Sequence, residues 1–174
     1  CAKLQIPHIF GDHMVIQRDK PIRMWGSAEP EATVQVCLSD LNGSTKADQH
    51  GTWSLELEAL SANTEGTTLS VTSNSETIEY QDVIIGDVWI LGGQSNMEDE
   101  LENVYHGDME VASANHPNIR LMTIPQEASP QPLSNFARIN EYNSWTGRYE
   151  QKGGWFRCTP ETVHRFSAIG YIFG

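Results

Sequence analysis

Ser95 is the residue of this sequence best placed to do chemistry. It stands in "GDVWILGGQSNMEDEL", residues 86–101, where an apolar run stops at Gly92 and Gly93, Gln-Ser-Asn follows, and acidic residues take over. A serine delivered from the end of a strand to the start of a helix meets unpaired N–H groups and a partial positive charge. That setting suits an alkoxide nucleophile and the oxyanion of a tetrahedral intermediate, so the chemistry would be acyl transfer through a covalent serine ester. The two glycines let the backbone turn sharply and leave the serine's flank open. On residues alone a second reading stands beside this one, in which Ser95 or Asn96 merely caps the helix, as such residues commonly do. The α/β-hydrolase elbow is excluded, because it needs glycine two residues after the serine and Met97 is there.

A serine nucleophile needs a general base within hydrogen-bond reach. The histidines, His8, His13, His50, His106, His116 and His164, are scattered, and no pair has the spacing of a zinc helix. Asp12 and His13 adjoin in a region that reads as β-structure, and His164 reads as a surface or packing residue of the last helix. Asp87 reads as a residue that leads or caps a strand. Cys1, Cys37 and Cys158 form no CxxC and no metal-like set, and acyl transfer through a serine is expected to call on no metal or organic cofactor. Cys1 leaves two readings open: the lipid-bearing residue of a processed lipoprotein, or a fragment boundary.

The elements that would position Ser95 fall into two grammars. Residues 1–82 alternate with a period of two: Val34, Val36 and Leu38 in "ATVQVCLSD", then Trp53, Leu55 and Leu57, then Leu69, Val71 and Ile78. Turn residues separate these runs, with Asn42-Gly43 and His50-Gly51 expected as hairpin turns. Short strands without helical period predict a β-sandwich. From residue 83 the pattern changes. "VIIGDVWIL" predicts a strand covered on both faces; Met97, Leu101 and Val104 predict a helix; "NIRLMTIP", from Asn118, predicts a second strand, which together make a βαβ unit. Residues 125–154 read as a long irregular excursion. In "TPETVHRFSAIGYIFG", Thr159 as cap, Pro160 at the first turn and a stripe of Val163, Phe166, Ile169 and Phe173 predict a helix.

Composition bounds the partners. In 174 residues the net charge is -12, with 39% hydrophobic and 20% charged residues. So acidic a chain lacks the basic footprint of a nucleic-acid binder. No window approaches the ~20 apolar residues of a membrane span, and no leader pattern opens the chain.

The motif "GDVWILGGQSNM" resembles the first block of the SGNH hydrolases, in the branch of sialate O-acetylesterases and related carbohydrate acetylesterases. Three more segments resemble that branch in the same order: "IPHIFGDHMVIQRDKPIRMWGSAEPEATVQV", "GTWSLELEAL" and "CTPETVHRFSAIGYIFG". The resemblance implies an N-terminal β-sandwich (1–82) followed by the start of a flavodoxin-like α/β/α hydrolase domain (83–174). It implies that Ser95 attacks an acetyl carbonyl and that its backbone N–H is one oxyanion donor; Gly93, Gln94 and Asn96 frame the turn, and Gln94 and Asn96 are the candidate substrate contacts. The base in that branch comes from a later Asp-x-x-His block, and other oxyanion donors from middle blocks, none of which is present here. The chain is therefore expected to be the N-terminal portion of a longer enzyme, without competent activity alone. The implied substrate is an acetylated carbohydrate: acetylated sialic acid, or a neutral glycan such as acetylated xylan, since acidic residues 98–102 would repel an anionic sugar. Trp145 and Trp155 could line a sugar cleft, whereas Trp89 reads as core. A periplasmic or extracellular location follows from the same resemblance. Two other readings remain: a carbohydrate-binding module acting through the β-domain, and a pseudo-enzyme.

Overall fold

The computed structural model describes residues 3–136, 139–143, 148–151 and 153–174; Cys1 and Trp145 lie outside the described residues, and with them what the sequence suggested for each. Seven strands build the first part: β1 (Val15–Gln17), β2 (Ile22–Ser27), β3 (Thr33–Leu38), β4 (Leu41–Lys46), β5 (Thr52–Leu57), β6 (Asn63–Ser73) and β7 (Glu76–Gly86). Five form a mixed sheet in the order β1-β7-β6-β3-β4, with β1 parallel to β7 and the remaining pairs antiparallel. Strands β2 and β5 pair separately and face that sheet across one core.

The period-two residues meet in this core. Val34, Val36 and Leu38 from β3, Leu69 and Val71 from β6, Met24 from β2 and Trp53 from β5 are all buried in it. Alternation places one face of each strand inward, as the pleat requires.

One hairpin turn lies elsewhere than expected. Asn42 and Gly43 are inside β4, and the reversal occurs at Ser39-Asp40, with Ser39 at φ 52°. Gly43 is needed for packing: a Cβ there would come within 2.5 Å of Leu57 Cδ2 and 3.2 Å of Leu55 Cδ1. The opposite strand pair presses on that backbone, so glycine is demanded by contact and not by turn geometry. The His50-Gly51 turn does form, with Gly51 at φ 82° and the Asp48 carboxylate accepting from the N–H groups of His50 and Thr52.

The second part departs more from expectation. The run "VIIGDVWIL" is divided: β7 carries Val83, Ile84 and Ile85 into the β-core region and ends at Gly86, and residues 87–94 have no strand partner among the described residues. Val83 and Ile85 point into the core, and Ile84 is buried on the other side, so a strand covered on both faces exists for these three residues only. Beyond them Trp89 is 67% and Ile90 95% exposed.

The expected long helix is broken. It consists of α1 (Ser95–Glu98), a 3-10 turn (Leu101–Asn103) and α2 (Gly107–Ser113). Like charges one turn apart, Glu98 and Glu102, disfavour a continuous helix there, and His106 stands at φ 58°, outside helical space. The next strand, β8 (His116–Met122), begins two residues before Asn118. Two short strands, β9 (Asn140–Asn143) and β10 (Arg148–Gln151), pair within the excursion. β8 itself pairs antiparallel with β11 (Trp155–Cys158). The βαβ unit is therefore not formed: β8 lies against β11, and among the described residues no parallel sheet flanked by helices is present.

The final helix is also split, into α3 (Pro160–Val163) and α4 (Ala168–Phe173). Thr159 and Thr162 form a capping box at the start of α3, with Pro160 in the first turn. The break at 164–167 is occupied by pairing with residues 99–102: Leu101 N–H donates to Phe166 O, Glu102 N–H to His164 O, and Ala168 N–H to Asp99 O. Of the expected stripe, Val163 is buried and Phe166 partly so, while Ile169 and Phe173 are exposed. Leu101, Ala114, Leu121, Cys158, Val163 and Ala168 make a small second core.

Candidate active site

Ser95 is the first residue of α1, one turn long, entered from Gly92, Gly93 and Gln94. The turn is closed by Met97 N–H donating to Gln94 O at 2.8 Å. Its floor is supplied by α4 and the 164–167 link: the Ser167 hydroxyl contacts Met97 Sδ at 3.2 Å and accepts from Gly170 N–H at 3.1 Å. A Cβ on Gly170 would meet Leu91 Cδ1 at 2.6 Å, so α4 lies close against the end of the apolar run. Trp89 and Phe173 close that contact edge to face, with ring centroids 5.2 Å apart. Trp89 is thus an exposed surface residue with one aromatic neighbour, not a core residue as its sequence position suggested.

The cap position of α1 belongs to Gln94, and no side chain supplies a cap hydrogen bond there. Ser95, Gln94 and Asn96 are all exposed, and among the described residues the Ser95 hydroxyl makes no hydrogen bond. With Met97 N–H taken by Gln94 O, the N–H groups of Ser95 and Asn96 are the donors that the start of the helix leaves unpaired. The arrangement presents one hydroxyl with backbone donors beside it, which is what an acyl-transfer nucleophile and half of an oxyanion hole require.

No histidine is hydrogen-bonded to Ser95 among the described residues. His8 Nδ1 donates to Phe136 O at 2.6 Å, and His13 Nδ1 meets Asp82 Oδ2 at 2.7 Å. His164 ends α3, its carbonyl taken by Glu102. Asp87 receives Arg18 Nε at 2.9 Å, and this pairing holds its carboxyl below the usual carboxylate range; the residue anchors the end of β7 to the segment after β1. No group of His, Cys, Asp and Glu suited to a metal occurs among the described residues.

An open groove of about 1470 Å³ separates the turn from the β-domain, lined by Phe10, Trp25, Trp89, Gln94, Trp155 and Phe173 among others. Trp155 is fixed in it by its indole N–H, which donates to Ile9 O at 2.8 Å, so it packs on the β-core while edging the groove. One feature had no sequence signal that singled it out: Asp82 gathers His13, Arg120 and Arg157 around one carboxylate.

No protein-family model matches the chain. Sialate O-acetylesterases from Pongo abelii and Homo sapiens are each 23% identical to it over 176 aligned residues, covering 95% of this chain and 32% of theirs. The crystal structure of a carbohydrate acetylesterase from Xanthomonas citri superposes with a TM-score of 0.87 at 32% identity, over 98% of this chain and 36% of that one. The chain thus spans about a third of the length of these proteins. Over nearly all of its residues it is homologous to sialate O-acetylesterases and similar in structure to a carbohydrate acetylesterase.

Proposed function

We propose that this chain carries the nucleophile segment of a serine esterase that removes O-acetyl groups from carbohydrates. The observation that carries the reading is the state of Ser95: exposed at the first position of α1, with its hydroxyl neither capping the helix nor bonded elsewhere among the described residues. The homology to named acetylesterases supports the substrate class.

In the first step Ser95 Oγ attacks the acetyl carbonyl and its proton passes to a general base. The carbonyl oxygen, now anionic, is held by the Ser95 backbone N–H and further donors. Collapse breaks the bond to the sugar oxygen, which takes the proton and leaves as a free hydroxyl. Water then repeats the sequence on acetyl-Ser95, releasing acetate and restoring the serine. Gln94 and Asn96, exposed on either side, are proposed to contact the sugar. Serine ester chemistry of this kind calls on no metal or organic cofactor.

The base and the remaining oxyanion donors are proposed to come from polypeptide beyond these residues, in the two-thirds of the relatives that the chain does not span. The same polypeptide would add strands beside residues 87–91, completing an α/β hydrolase sheet and covering Ile90. Acetylated glycans of cell surfaces and plant walls place the enzyme in the periplasm or outside the cell, and a lipid on Cys1 is compatible with that.

The test compares hydrolysis of p-nitrophenyl acetate and of acetylated xylan by the protein extended to the length of its relatives, with and without Ser95→Ala. Loss of both activities in a folded variant supports the reading. Retention of more than a few per cent removes Ser95 as nucleophile. An extended wild type that binds acetylated glycan without hydrolysing it would favour a binding module or pseudo-enzyme.

A further inference from the structure

The β-domain goes to unusual lengths to present one carboxylate. Asp82 sits in the middle of β7 with φ 58°, a left-handed conformation uncommon for residues other than glycine. Opposite it, β6 loses register between Asn63 and Thr67 and again between Thr67 and Leu69. Gly66 lies in that irregularity, and a Cβ on Gly66 would collide with the Asp82 carboxylate. A bulge, a left-handed residue and a glycine with no room for a side chain converge at one point, which fixes where the carboxylate stands.

The carboxylate, 17% exposed, receives donors from three distant segments. His13 Nδ1 lies 2.7 Å from Oδ2, and Arg157 Nε, on β11, donates to the same oxygen at 2.7 Å. Arg120, on β8 and only 3% exposed, donates from Nη1 to Oδ2 at 2.7 Å and from Nη2 to Oδ1 at 3.3 Å. Its Nη1 also reaches the carbonyls of Asp82 and His13, at 3.1 and 3.0 Å, and its Nε reaches Pro117 O at 2.8 Å. A guanidinium so enclosed has no solvent to fall back on if the carboxylate is lost.

From this geometry we propose that Asp82 is the tie that makes the β-domain and the β8–β11 pair one body, so that the β-domain braces the Ser95 turn. The route is continuous. β11 leads through the Thr159 box into α3; the 164–168 link pairs with residues 99–102; and Ser167 and Gly170 support Met97 and Leu91. Asp82 acts through this route as a structural tie, and its role does not depend on Ser95 being the nucleophile.

Site-resolved amide hydrogen exchange on the 174-residue chain tests this without any activity assay. Asp82→Asn keeps the side-chain shape and tolerates the left-handed backbone but removes the charge. The expected result is exchange faster by about tenfold or more at Leu121 and Phe156 and at the linked amides Leu101 and Ala168, with Val36 and Val71 in the β-core unchanged. Gly66→Ala, which leaves all four members present but displaces the carboxylate, should give the same pattern. No change at the first group, or an equal rise in both groups, overturns the proposal. Should Asp82→Asn fail to fold, Arg157→Met, which removes only the half-exposed partner, is expected to give the same pattern more weakly, and a flat result there overturns it equally.

Discussion

Cutting the chain after Asp82, where the sequence changes grammar, should unfold the β-domain, whereas cutting after Asp87 should not. The first cut removes Val83, Ile84 and Ile85, all buried, and the parallel ladder in which Val15, Ile16 and Gln17 face Ile84, Ile85 and Gly86. Burial of Val83 and Ile85, the two that point into the β-core, contributes about 2 kcal/mol each, so together about 4 kcal/mol before any hydrogen bond of the lost ladder is counted. A domain of roughly 80 residues has about 4–12 kcal/mol of net stability. The loss is therefore of the same size as the whole. Both fragments lack Arg120 and Arg157, so the Asp82 cluster cancels in the comparison. Urea unfolding followed by the fluorescence of Trp25 and Trp53 would read the difference: residues 3–87 should show a cooperative transition and residues 3–82 none. Equal midpoints for the two would refute the assignment of the end of β7 to the β-core.

Three smaller perturbations follow from individual contacts. Hydrogen bonds from Arg157, then Arg120 and His13, hold the Asp82 carboxyl far below its usual range; its contribution is thus fully present above about pH 4, the unfolded value, and is lost only as pH falls toward the folded one. Asp82→Asn should cost the β8–β11 pair about 3 kcal/mol of local stability at pH 7, with the gap to wild type narrowing below about pH 4, as measured by hydrogen exchange at Leu121 and Phe156 across pH, corrected for intrinsic rates and read against Val36. Thr159→Ala breaks the capping box of α3 and should cost about 1 kcal/mol in the same measurement. Ile90→Lys should leave the stability of this chain within about 0.5 kcal/mol while lowering its self-association, read by light scattering, because Ile90 is almost wholly exposed.

The β-domain was legible because its strands are amphipathic: a period of two fixes which face of Val34–Leu38 or Trp53–Leu57 is buried, whatever the partner. Asn42-Gly43 misled because glycine serves turns and close packing alike, and only the approach of Leu55 and Leu57 tells which. The second part was less legible because its elements are completed by neighbours. An apolar run such as Val88–Leu91 becomes a ladder only beside another strand, and none stands there among the described residues. Likewise, the helical spacing of Met97, Leu101 and Val104 predicted one helix and could not show the interruptions at 99–106, nor that Leu101 and Val104 meet a second small core. The exposed Ser95 turn was marked by its own glycines and polar triplet. The Asp82 cluster was invisible because its four members are spread from residue 13 to residue 157 and carry no local pattern.

The most direct measurement on the central claim is mass spectrometry of acid-quenched reactions between an acetyl ester and the protein extended to the length of its relatives. The account predicts a single acetyl group on the peptide containing Gln94-Ser95-Asn96, appearing within the first turnover and absent from Ser95→Ala. Turnover with no acetyl on Ser95, or with acetyl carried by another residue, would contradict it.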